Sequence, residues 1–159
     1  MKINVKADLP SLSETKIRAS VRAALLHAAA EWHSKFLPEH FKFSAYSRYG
    51  YMPRDRKYEI RKARHLGHRK PLVYSGTTQQ MAMSEVSFRS TSIAGMQASQ
   101  AVMAVEDYFF QRPRNSPIDK AEELTTINEQ EQAHLTDIVE KRFMEGIGVT
   151  GFTRRSNVA

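Results

Sequence analysis

The sequence predicts an α+β fold in which a long N-terminal helix and a C-terminal helix pack on a small antiparallel sheet, with a basic helical or loop insert. Apolar residues recur at three- and four-residue spacing in two long segments, as in amphipathic helices. They alternate with polar residues in shorter segments, as in half-buried strands. Because 159 residues, 41% of them hydrophobic, are enough for one core, we expect a single domain at residues 1–148 and a flexible tail at 149–159.

The N-terminal part of the chain predicts a strand followed by the first long helix. Residues 1–9 alternate apolar and polar side chains, and Ser11 and Glu14 have the spacing of a capping box at a helix start. Pro38 is expected to end this helix, because the residue before a proline is disfavoured in helical geometry. The apolar stripe of the helix consists of Ile17, Val21, Leu25, Ala28, Trp32 and Phe36.

The segment that follows Pro38 has no single period. Residues 39–51 mix aromatic, basic and small residues, and we interpret them as an irregular connector. Residues 54–66 predict a second helix that ends at Gly67, a residue suited to a left-handed C-terminal cap. Because the helix is short, highly charged and has a thin apolar face, we expect a partner to order it. That face contains at best Tyr58, Ile60, Ala63 and Leu66.

Residues 75–105 predict the sheet. A turn formed by Ser75, Gly76 and Thr77 opens this region, and glycine allows the chain to reverse there. The apolar segment Pro71 to Tyr74 is expected to anchor the turn in the core. Two strands are expected on either side of a turn at Ala94-Gly95.

The last third of the chain predicts a linker and a second long helix. The proline-bearing segment 111–117 is the clearest linker. Thr125 or Thr126 is expected to cap the helix at its start, and Gly146 and Gly148 are expected to end it.

Almost all of the excess charge belongs to one segment. The chain has a net charge of +7, and residues 42–70 hold ten Lys or Arg against Asp55 and Glu59, a local net charge of +8. Such a segment attracts polyanions, either nucleic-acid phosphates or an acidic protein surface. The expected docking residues are Arg48, Arg54, Arg56, Lys57, Arg61, Lys62, Arg64, Arg69 and Lys70, and Arg54, Arg56, Arg61 and Arg64 are predicted surface positions.

Composition and spacing argue against several other classes of protein. No cysteine is present, so we expect neither a disulfide framework nor a thiolate metal site. No apolar run has the length of a membrane span, and residues 1–10 lack the apolar core of a signal peptide, so we expect a soluble protein without a membrane partner.

The polar residues do not form a recognisable catalytic or metal-binding pattern. The six histidines lack metal-ligand spacing, and His65 and His68 lie in a basic run that repels cations. The acidic pairs Glu122-Glu123 and Glu129 to Glu131 fit the first turn or the exposed face of a helix better than paired acid/base catalysis. We therefore expect no enzyme activity, no metal and no cofactor.

Two interpretations of the basic segment remain open at this point. Four tyrosines interleave with arginines, which is typical of proteins that stack and bind single-stranded nucleic acid. Alternatively, the segment is an arm that docks on an acidic neighbour, with tyrosine rings buried and hydroxyls in water. The residues concerned are Tyr46, Tyr49, Tyr51 and Tyr58 with Arg48, Arg54, Arg56 and Arg61.

The order of the parts and the motif "PLVYSGTTQQM", with Ser75, Gly76 and Thr77 in its turn, resemble the neck and tail-completion proteins of tailed bacteriophages. The resemblance implies a non-enzymatic head-tail joining or minor tail protein, present in the virion and assembled in the host cytoplasm. It implies a homo-oligomeric ring, a hexamer or dodecamer, with portal or adaptor and tail-terminator proteins as neighbours. DNA passes through such rings, so the resemblance leaves open whether the basic segment faces DNA or an acidic surface.

Overall fold

The structure is a computed structural model that describes residues 13–84, 87–93, 96–102, 111 and 116–149. The strand predicted for residues 1–9, the turn predicted at Ala94-Gly95, most of the predicted linker and the tail after residue 149 lie outside these ranges. The elements in chain order are α1 (Glu14–Glu31), a π-helical turn (Trp32–Phe36), α2 (Leu37–His40), α3 (Ala45–Arg48), α4 (Arg56–Leu66), α5 (Thr77–Met83), β1 (Ser87–Ile93), β2 (Met96–Val102), α6 (Lys120–Thr125) and α7 (Glu129–Ile147).

The predicted α+β fold class is wrong, because the described chain is mainly helical. Helix accounts for 69% of the residues described with their side chains. The extended backbone of β1 and β2 forms only an antiparallel two-stranded ribbon, with Ser87 opposite Val102 and Ile93 opposite Met96. A two-stranded ribbon is too small to serve as the layer on which two long helices pack.

The two long helices pack against each other in antiparallel orientation. Lys16, near the start of α1, donates through Nζ to the carbonyl of Ile147 at the end of α7, at 3.3 Å. At the other end of the pair, Glu31 binds His134 at 3.2 Å. The buried positions of α1 are small, Ser20, Ala24 and Ala28, spaced four residues apart, and they allow the close approach of α7.

The ends of these helices differ from the prediction in three places. The N-cap of α1 is Ser13, whose Oγ accepts from the Lys16 N–H, and Ser11 lies outside the described residues. Pro38 does not end the helical path, because it lies in the first turn of α2, where its missing N–H costs nothing. The N-cap of α7 is Asn128 rather than Thr125 or Thr126.

Two helix ends were predicted correctly. Helix α4 begins after Asp55 and ends at Gly67, which has φ +71°. Helix α7 ends at Gly148, which has φ +92°. Gly146, also predicted as an end, lies inside α7 and faces Ser20.

The segment predicted to be an irregular connector forms much of the core instead. Leu37, Phe41, Ala45 and Tyr49 are all buried and are spaced four residues apart. This period continues across the breaks between α2, α3 and the loop that follows. The remaining members of the described core are Tyr51, Leu72, Val73, Ala82 and Leu124, with Trp32 and Tyr46 packed against them.

Candidate docking surface

The basic segment divides into residues that turn inwards and residues that face solvent. Arg48, Arg54 and Lys62 bind other parts of the same chain, although all three were predicted as docking residues. The other six predicted docking residues are exposed and have no ion pair with any described residue. These six are Arg56, Lys57, Arg61, Arg64, Arg69 and Lys70.

Arg54 forms a nearly buried ion pair with Glu123 of α6. Its two terminal nitrogens donate to the two carboxylate oxygens at 2.7 and 2.5 Å, and the side chains are 10% and 9% exposed. Burial opposes the charge of Arg54, but the hydrogen bonds and charge of Glu123 outweigh it and raise the pKa of Arg54. The guanidinium also lies over the Tyr46 ring, 5.9 Å from its centroid. The prediction that Arg54 is a surface position is therefore wrong.

Arg48 contacts a second buried carboxylate, that of Glu131 in α7. Glu131 is fully buried, and its Oε1 accepts from the Tyr49 hydroxyl at 2.6 Å and from the Asn128 amide at 3.2 Å. The same oxygen lies 3.2 Å from a terminal nitrogen of Arg48, as an ion pair. Asn128 also caps α7 by accepting the Glu131 N–H at 2.9 Å. The prediction that Glu131 occupies the exposed face or first turn of a helix is right about the turn and wrong about the exposure.

A buried histidine links these two ion pairs. The His40 ring stacks on the Tyr49 ring at 3.9 Å, and its Nδ1 lies 2.5 Å from the Tyr51 hydroxyl and 3.1 Å from the Glu123 carbonyl. The Tyr51 hydroxyl donates to that same carbonyl. Burial lowers the pKa of His40 to about 4, so the ring is neutral at pH 7. Burial likewise raises the pKa values of Tyr49 and Tyr51.

Lys62 lies on the inner side of α4. Its side chain is buried, its Nζ donates to the Lys70 carbonyl at 2.5 Å, and it lies over the Tyr58 ring at 5.7 Å. Burial, followed by the charge of Arg54, lowers its pKa. This lysine holds the segment after α4 against the helix, and it is not available to a partner.

The outer side of α4 is a continuous basic face. At about 100° per residue, Arg56, Lys57, Ile60, Arg61 and Arg64 fall within an arc of about 140°. All five side chains are exposed, whereas Tyr58, Lys62 and Leu66 occupy the opposite side. We call the five exposed residues the basic face. The prediction that Ile60 belongs to the apolar side of α4 is wrong, since Ile60 is 37% exposed among four cations.

Large apolar side chains are exposed along the same part of the chain. Phe43 is 64% exposed, Met52 45% and Tyr74 60%, in addition to Ile60. Two of the four tyrosines proposed as stacking platforms are buried instead of exposed. Tyr49 and Tyr51 belong to the core, so their rings cannot receive a nucleic-acid base.

The Ser75-Gly76-Thr77 turn is present, but it opens helix α5 rather than a sheet. Gly76 has φ +90° and precedes α5, and the Ser75 and Thr77 hydroxyls lie 3.0 Å apart. Pro71, Leu72 and Val73 anchor this turn by burial, whereas Tyr74 points to solvent. Leu72 also adopts a positive φ of 54°. The predicted anchoring is thus correct for three of the four residues.

Three residues of the buried network, Glu123, Glu131 and His40, were not identified from the sequence. The four-residue spacing of Leu37, Phe41, Ala45 and Tyr49 was a usable signal for a buried path through residue 40. No comparable signal marks the two glutamates, because their partners are distant in sequence.

Further findings concern membranes, metals and known proteins. None of the helices within the described ranges is long and apolar enough to cross a membrane. Among the described residues, no group of three or more His, Asp or Glu side chains has the arrangement of a metal site. No family model, curated protein or solved structure matches this chain.

Proposed function

We propose that this protein is a structural subunit of a tailed-phage virion, of the neck or tail-completion type, that docks through the basic face of α4. The observation that carries the proposal is the composition of that face, in which Ile60 lies exposed among four cations that have no described ion pair. The subunit acts by contact within a ring, next to portal or adaptor and tail-terminator proteins. It has no catalytic role in this proposal.

The choice of a protein partner rests on the exposed apolar side chains of the same stretch of sequence as the basic residues. Protein interfaces combine arginine, tyrosine and methionine with a dry apolar centre and a polar rim. Phe43, Met52, Ile60 and Tyr74 supply apolar area of this kind within residues 43–74. Binding to phosphates gains nothing from such area, whereas an acidic protein surface with its own apolar centre does.

The ion pairs that Arg48 and Arg54 form within the chain also support docking on a protein partner. These two arginines connect the segment to α6 and α7, so the basic face stands on a part of the chain that is tied to the core. A fixed surface loses less conformational entropy on docking than a flexible arm does. In this proposal the basic face is a surface held next to the core by the segments before and after α4.

Nucleic-acid binding through the same face is the second candidate. The six exposed cations within residues 56–70 favour it, because phosphate contacts require charge and little else. Binding by base stacking on Tyr49 and Tyr51 is no longer part of this candidate. What remains is stacking on the partly exposed Tyr46 and Tyr58 and contact with a nucleic-acid backbone, including DNA that passes through a ring.

The test compares two charge-reversal variants in solution. Arg61→Glu/Arg64→Glu alters the basic face, and Arg22→Glu/Lys141→Glu makes the same change in charge at exposed positions of α1 and α7. We would measure the mass of each protein by light scattering at 50 and 500 mM salt, with and without a DNA duplex and purified portal-side proteins.

The proposal predicts that the wild type forms a closed oligomer or joins a portal-side protein, that the basic-face variant does neither, and that the control behaves like the wild type. A wild type that stays monomeric with every virion component would overturn it. Binding to the duplex that weakens by about 10³-fold or more between 50 and 200 mM salt would support the second candidate instead.

A further inference from the structure

The residues around the connection between α6 and α7 carry a net charge opposite to that of the basic face. Residues 119–131 contain five acidic residues and one lysine, a net charge of −4. Glu123 and Glu131 are neutralised inside the molecule by Arg54 and Arg48, and Asp119 caps α6 by accepting the N–H groups of residues 121 and 122. The carboxylates that remain exposed are those of Glu122 and Glu129.

An exposed apolar residue lies between these two glutamates in the chain. Ile127 is 48% exposed and occupies the connection from α6 to α7. Neither Glu122 nor Glu129 has an ion pair within the described part of the chain. We call Glu122, Ile127 and Glu129 the acidic corner. It has the same composition as the basic face, an apolar residue accompanied by charge, with the opposite sign.

We propose that the acidic corner of a second copy of this chain is the surface that receives the basic face. The inference rests on the proposed function and names its partner. Its argument is charge complementarity around two exposed isoleucines, Ile60 on one copy and Ile127 on the next. Within one chain, Arg54, which lies just before α4, already forms an ion pair with Glu123 of α6. The outward-facing charges of each segment are left for a neighbouring copy.

The proposed contact has a direct consequence for assembly. The basic face and the acidic corner are different surfaces, so the contact is heterologous. After it forms, one copy retains a free acidic corner and the other retains a free basic face. Contacts of this type add subunits head to tail and close into a ring when the rotation between copies allows it. An isologous dimer would instead need one self-complementary patch.

A charge-swap experiment on the full chain tests the pairing. We would make Arg61→Glu/Arg64→Glu, Glu122→Lys/Glu129→Lys and the fourfold variant that combines them, and measure self-association by sedimentation velocity at low salt. Each double variant is expected to weaken self-association by at least about tenfold, because Arg61→Glu/Arg64→Glu reduces the charge of the basic face from +4 to zero, and Glu122→Lys/Glu129→Lys sets two lysines against its four cations. The fourfold variant is expected to regain part of it, since the two introduced glutamates then lie opposite the two introduced lysines. An equimolar mixture of the two double variants is also expected to associate.

Two controls keep the outcomes distinct. Glu122→Gln/Glu129→Gln removes charge without reversing it, and it is expected to weaken association less than the lysine variant. Circular dichroism checks that each variant remains folded.

The inference fails if Glu122→Lys/Glu129→Lys associates like the wild type, or if the folded fourfold variant stays dissociated. If Arg61→Glu/Arg64→Glu alone loses docking in either case, the proposed function stands and only the partner is wrong. A wild type that neither self-associates nor joins a virion protein overturns both.

Discussion

Replacing Arg54 by alanine would separate the structural role of the basic segment from its docking role. The substitution removes both hydrogen bonds to Glu123 and the contact with the Tyr46 ring. It also leaves the Glu123 carboxylate, which is 9% exposed, without its charged partner. Breaking a buried ion pair from one side costs about 3–5 kcal/mol. We therefore expect a loss of this size in the free energy of unfolding, or a decrease in Tm of roughly 6–20 °C for a chain of this length.

The matched control is the triple variant Arg56→Ala/Arg61→Ala/Arg64→Ala. These side chains are exposed and have no described ion pair, and surface substitutions of this kind change stability by about 0.5 kcal/mol or less each. Arg54→Met/Glu123→Leu provides a second comparison, because replacing both partners by apolar side chains restores much of the stability.

Urea denaturation followed by circular dichroism would measure all three proteins. A midpoint for Arg54→Ala equal to that of the wild type would refute the structural role of this arginine. A triple variant that loses as much stability as Arg54→Ala would refute the separation of structural from docking residues, since the exposed residues would then belong to the core.

Three further predictions concern the buried network and the packing of α1 on α7. Burial lowers the pKa of His40 from 6.5 to about 4, so between these pH values the unfolded chain binds a proton that the folded chain does not. The free energy of unfolding should therefore fall by up to about 3 kcal/mol as the pH drops from 6.5 to 4. Equal urea midpoints at about pH 7 and about pH 4.5 would contradict this prediction. Gly146→Ala should cost about 1–3 kcal/mol because its Cβ would lie 2.7 Å from the Ser20 Oγ, and thermal melting should show recovery in Ser20→Gly/Gly146→Ala. Tyr49→Phe should cost about 1–3 kcal/mol because buried Glu131 loses a donor, and an unchanged denaturation midpoint would show that this bond contributes nothing in solution.

Some of the discrepancies between prediction and structure have a local origin. Residues 77–83 were assigned to the sheet, although their central residues, glutamine, methionine and alanine, are good helix formers. The glycine turn before them suits either element, so the turn alone did not decide between strand and helix. The aromatic segment after Pro38 was interpreted as irregular because its four-residue period runs through several short elements rather than one helix.

Other discrepancies could not be resolved from the sequence. An arginine in a basic run looks the same whether it faces water or a buried carboxylate. Arg54 and Glu123 are 69 residues apart, and Tyr49 and Glu131 are 82 apart. No local sequence pattern shows which of these side chains are in contact.

The sequence by itself determined the features that depend on near neighbours. These are the periods of the two long helices, the ends of α4 and α7 at glycines, the turn at Gly76 and the concentration of positive charge between residues 42 and 70. Tertiary structure alone decided that Arg54 and Lys62 turn inwards and that Arg48, although partly exposed, reaches a buried carboxylate. It also decided that the other cations of α4 face solvent. The physical reason is that burial of a charge is stable only beside a partner of opposite sign or a hydrogen-bond acceptor, and the folded chain supplies those partners from distant segments.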